Sequence, residues 1–63
     1  MRAFDFFGAD GEVRAMVLGE YTEIHDVTDI WVFDKDDRIV AIFTPQPGES
    51  VAEHVPTPEE ALV

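Results

Sequence analysis

Few side chains in this sequence are of a type that performs covalent chemistry, and their neighbours argue against it. The single serine, Ser50, sits in Gly48-Glu49-Ser50-Val51 without the glycine on its far side that a nucleophile elbow needs, and there is no cysteine. His25 and His54 are the only imidazoles, with Asp26 and Asp29 near the first and Glu53 beside the second. Neither belongs to a paired-histidine metal motif, so both read as surface histidines among carboxylates. Asp34, Asp36 and Asp37 resemble the opening of a calcium loop, but its fifth, sixth and twelfth positions would fall on Arg38, Ile39 and Pro45. The acidic run therefore reads as a solvated hairpin turn. Gly8, Gly11, Gly19 and Gly48 are scattered and Lys35 is the only lysine, which leaves no phosphate-cradling loop. The expectation is a non-enzymatic protein with no catalytic residues, no cofactor and no metal site.

The elements that would carry these residues are mostly strands. Arg2 to Phe7 places Phe4 and Phe6 on one face of an extended segment, and Asp10-Gly11 suits a tight turn into a second strand over Glu12 to Leu18. Tyr21, Ile24, Thr28 and Trp31 also fall at helical spacing. The β-branched residues Thr22, Ile24, Val27, Thr28, Ile30 and Val32 favour extended structure instead, with a strand over Glu20 to Ile24 and a bend over His25 to Val27. Thr28 to Phe33 and Arg38 to Thr44 form the clearest hairpin, joined by Asp34-Lys35-Asp36-Asp37. Ser50 to Val55 suits a short edge strand. Thr57, Pro58 and Glu60 match a helix start with room for one turn. The predicted fold is all-β: a small antiparallel sheet of four to five strands built from two hairpins, with a single domain over residues 1–55 and an irregular, Pro-containing tail over 56–63.

Size and charge narrow the function. A chain of 63 residues has room for one core, and fourteen acidic against four basic residues give a formal charge of -10. That charge disfavours direct binding to nucleic acid or an anionic membrane. The longest apolar run, Ile39 to Phe43, falls far short of the roughly 18–20 residues that cross a bilayer, and no secretory pattern opens the chain. A cytoplasmic location is expected.

The informative feature is the central hairpin. Ile30 and Val32 alternate with Trp31 and Phe33, and Val40 and Ile42 with Ile39, Ala41 and Phe43, so both faces are apolar and both need cover. Either the tail residues Val51, Val55 and Leu62 wrap one side, or a second copy does, and a homodimer is the expectation. Trp31, Phe33, Ile39, Phe43 and Tyr21 are the candidate partner or oligomer interface. Glu20, Glu23, Asp26 and Asp29 are the candidate acidic surface. Three roles follow: a module that occupies another protein with a basic surface, a structural component acting by homo-oligomerisation, or a nucleic-acid mimic. The mimic would use carboxylates spaced about 6.6 Å apart along a strand.

The segment Trp31-Val32-Phe33-Asp34-Lys35-Asp36-Asp37-Arg38-Ile39-Val40-Ala41-Ile42-Phe43, followed by Pro45 and Gly48, resembles small uncharacterised acidic proteins of actinobacteria and their bacteriophages. Asp37 stands where a turn glycine would be expected. The resemblance implies a phage-encoded or accessory protein that acts in the bacterial cytoplasm by binding a host protein, and it carries over no catalytic residue.

Overall fold

The computed structural model describes residues 1–61. Phe4 and Phe6 alternate inward along β1 (Arg2–Phe7), which runs through the centre of one sheet between β2 (Val13–Gly19) and β6 (Ser50–His54). β4 (Asp29–Phe33) occupies the same place in a second sheet, between β3 (Tyr21–His25) and β5 (Ile39–Phe43). All neighbouring strands are antiparallel. The mainly β reading therefore holds, and its strands number six, divided between two three-stranded sheets.

The division falls at Gly19. A Cβ there would stand 2.7 Å from Val32 Cγ1 and 3.0 Å from the Phe33 carbonyl oxygen, so only glycine lets the chain pass this close to β4. The next amide, Glu20 N–H, donates to Phe33 O at 2.8 Å. Beyond this corner the chain begins the second sheet. The inner faces of the two sheets share one core, in which Phe4, Phe6 and Val32 are buried and Val17, Ile30, Ala41, Phe43 and Val51 pack around them. The rings of Phe6 and Phe43 lie 4.5 Å apart. Phe43 is thus a core residue facing the first sheet, and it does not share a surface with Trp31 and Phe33.

A bulge causes this. Phe33 pairs with Ile39, but Val32 pairs with Ala41, so Val40 is the extra residue and the inward positions of β5 become Ala41 and Phe43. Strict alternation from the turn would have set Ala41 opposite Trp31; the bulge sets Ile42 there instead.

The turn carboxylates serve their own backbone. Asp34 Oδ1 accepts the amides of Asp36 at 2.8 Å and Arg38 at 3.0 Å, and the Arg38 guanidinium donates to Asp34 Oδ2 and Asp36 Oδ2, each at 3.1 Å. The Arg38 amide is the leading cause that holds the Asp34 carboxyl below its ordinary range. Asp37 takes the glycine-like position with φ of 61°.

At the C-terminus the expected single turn forms as α1 (Pro58–Ala61). Thr57 Oγ1 accepts the Glu60 amide at 3.3 Å, and Glu60 Oε1 accepts the Thr57 amide at 2.8 Å, a reciprocal cap. His54 ties this turn to the first sheet, with Nδ1 3.0 Å from Asp5 Oδ2 and Nε2 3.3 Å from Glu60 Oε1. Val51 joins the core, Val55 is 76% exposed, and Leu62 lies outside the described residues. The described tail therefore runs with β1 and does not wrap the far side of the second sheet.

The connection between β3 and β4 stores strain. Asp26 and Val27 have φ of 51° and 72°, a region that short polar side chains tolerate and a β-branched one does not, at a cost of roughly 1–2 kcal/mol. Val27 is 90% exposed and buries little in return. Val27→Gly is expected to stabilise the fold by about 1 kcal/mol. A higher urea midpoint by Trp31 fluorescence would show it, and an unchanged or lower midpoint would contradict it.

Candidate functional site

Alternation along β3 and β4 brings Tyr21, Glu23 and His25 to the same outer face as Asp29, Trp31 and Phe33, because residues directly opposite in an antiparallel pair share a side. The pairs are Tyr21 with Phe33, Glu23 with Trp31 and His25 with Asp29. Ile42 extends the row from β5 opposite Trp31, and Ile39 opposite Phe33.

One half of this face is tiled by its own rings. Tyr21 stacks on Phe33 with centroids 4.9 Å apart and planes 10° from parallel, and His25 stacks on Trp31 at 3.8 Å and 16°. Trp31 and Phe33 meet at 6.4 Å. Beneath this layer Phe33 is only 8% exposed. His25 Nε2 also lies 3.1 Å from Glu23 Oε1, which holds the imidazole over the indole. The other half is open aliphatic surface, with Ile39 47%, Val40 46% and Ile42 56% exposed. Among the described residues Trp31 Nε1 is buried without an acceptor.

Of the five interface candidates, Tyr21, Trp31, Phe33 and Ile39 come together here and Phe43 does not. Val40 and Ile42 were not legible as members, because a bulge shifts register without a distinctive residue to announce it; the one available signal was a pair of β-branched residues flanking a small Ala41. The acidic candidates separate. Glu23 and Asp29 rim the face, where Asp29 Oδ1 accepts the Thr44 hydroxyl at 2.8 Å. Asp26 is in the β3–β4 turn, and Glu20 lies 3.4 Å from the Met1 amine. The four do not form the single row that mimicry of a phosphate backbone needs.

An open cleft of about 370 Å³ lies between the Leu18–Glu20 segment and the Asp34–Arg38 turn. Its charged groups include Arg38, already paired with Asp34 and Asp36. Ser50, opposite Phe7, and both histidines lie outside its lining. Among the described residues no three His, Asp or Glu side chains converge as metal ligands, and no helix is long and apolar enough to cross a membrane.

The Tyr21 hydroxyl donates to Asp37 Oδ1 at 2.7 Å, clamping the aromatic tiles to the β4–β5 turn. That bond, followed by desolvation and the charge of Asp37, raises the phenol from 10.0 to about 12. The neutral phenol is the favoured form in the fold, so this contribution to stability is complete below pH 10.0 and is lost as pH rises towards 12. Absorbance at the phenolate band should show the only tyrosine titrating near 12, and Asp37→Asn should return it towards 10.0. A native midpoint at 10.0 would mean that the clamp is absent in solution. No protein-family model, no curated protein and no solved structure matches this chain.

Proposed function

We propose that this protein is a small, acidic, non-enzymatic interaction module that uses the outer face of β3, β4 and β5 to hold another protein. The observation that carries the reading is the uncovered aliphatic half of that face, Ile39, Val40 and Ile42, set against an aromatic half tiled by stacked rings. Aromatic residues held in one geometry lose little entropy on binding and are the side chains that most often dominate interface energetics. A rim containing Glu23 and Asp29, on a chain of formal charge -10, favours a partner whose contact surface is apolar at its centre and basic at its edge. A host protein met by a phage-encoded or accessory protein in the bacterial cytoplasm fits this description.

A second reading, a structural component acting by self-association as a homodimer, is favoured by the bare edge of β5. Placing two outer faces together would bring both acidic rims into contact, which argues for a different joint between copies.

The test compares capture from bacterial extract by the wild-type chain and by Ile42→Asp and Trp31→Ala, with circular dichroism to verify folding. The expected result is one basic protein retained by the wild type and released by salt, with affinity lowered about 30-fold or more by Trp31→Ala. Equal retention by all three folded chains would reject this face as the binding surface.

A further inference from the structure

We infer that His25 is a pH-set cover for Trp31: its protonated ring closes over the indole and engages Glu23, and its neutral ring leaves both to a partner. This rests on the reading of the outer face as a binding surface and concerns how that surface is controlled.

The imidazole lies against the indole with centroids 3.8 Å apart and planes 16° from parallel, and its Nε2 is 3.1 Å from Glu23 Oε1. Both contacts respond to the charge of the ring. A proton turns the Glu23 contact into an ion pair and the stack into a cation over a π face, whereas a neutral ring keeps the dispersion of the stack and an ordinary hydrogen bond. Against them stands the side-chain entropy lost by holding an exposed ring in one rotamer. Closure is therefore coupled to protonation.

No neighbouring charge works the other way. The charged residues of β3, of β4 and of the turn between them are Glu23, Asp29 and Asp26, all acidic, and β5 has none. Asp29 pairs directly opposite His25, with one oxygen taking the Thr44 hydroxyl at 2.8 Å.

The ring can leave without moving the backbone. His25 ends an edge strand, its side chain is 36% exposed, and rotation about its own side-chain bonds takes it off the indole. Trp31 keeps its place, with Phe33 at 6.4 Å and Ile42 opposite on β5. The two states differ in what they present. Closed, the face shows a cationic ring over Trp31 and a Glu23 already paired, which disfavours a partner that is apolar at its centre and basic at its edge; open, it shows the indole and a free carboxylate.

Trp31 is the only tryptophan, so acrylamide quenching of its fluorescence reads the cover directly. The quenching constant of the wild type should rise about threefold between roughly pH 5 and pH 8, the range in which an imidazole changes charge. His25→Gln should be accessible throughout and show no step, and His54→Gln should keep the step. Glu23→Gln, which leaves the ring in place, should reduce it, and also serves if His25→Gln fails to fold. A wild-type accessibility that stays constant or falls as pH rises, or a step that survives in folded His25→Gln, would overturn the cover. These measurements use the chain alone, so their failure leaves the binding face untouched. A pH step that behaves as expected, together with equal capture by the wild type, Trp31→Ala and Ile42→Asp, would uphold the cover and reject the face as a binding surface.

Discussion

β4 carries apolar side chains on both sides, and the rest of the molecule is arranged around that constraint. Ile30 and Val32 point to the first sheet, and Trp31 and Phe33 point away from it. A chain of this length can build one opposing layer, and that layer, with Phe4 and Phe6 at its centre, is committed to the Val32 side. The Trp31 side receives no second layer from the described residues. It is covered instead by Tyr21 and His25 lying flat across their neighbours, a layer one ring thick that ends before it reaches β5. An unfinished cover of this kind has a functional consequence: the remaining apolar area is available to something outside the chain.

The acidity of the protein divides into two populations with different work. Asp34, Asp36 and Asp37 are consumed locally, by backbone amides, by Arg38 and by the Tyr21 hydroxyl. Glu60 caps the last turn and meets His54, and its carboxyl is held below the ordinary range chiefly by the Thr57 amide. Asp5 lies beside the other nitrogen of the same imidazole, so one ring bridges carboxylates on two elements. These groups shape turns and fasten the tail. Glu23 and Asp29, in contrast, border the aromatic face, where charge acts on whatever approaches it.

The aromatic face and the β5 edge make different demands on a partner. The face is tiled by stacked rings, bordered by Glu23 and Asp29 and suited to side-chain contacts. The edge offers backbone hydrogen bonds and short apolar side chains, and favours a strand of matching pattern. Because the edge continues the sheet without covering its outer surface, occupation of one does not block the other.

Composition and alternation determined much of this protein: a mainly β chain, the position of nearly every strand, the Asp10-Gly11 turn, the acidic hairpin and the Thr57-Pro58-Glu60 cap. These follow from local preferences, because β-branched residues, turn residues and capping residues act on their own few neighbours. Alternation along Trp31 to Phe33 likewise made the two-faced character of the hairpin legible. Tertiary structure alone decided that the strands split into two sheets at Gly19, since that depends on how closely Val32 and Phe33 approach a residue far away in sequence. It alone moved Phe43 into the core and Ile42 beside Trp31, because a single bulged residue reverses the side on which every later side chain of the strand falls. The tiling of Trp31 by His25 likewise depends on register between strands, and periodicity within one strand carries no record of it.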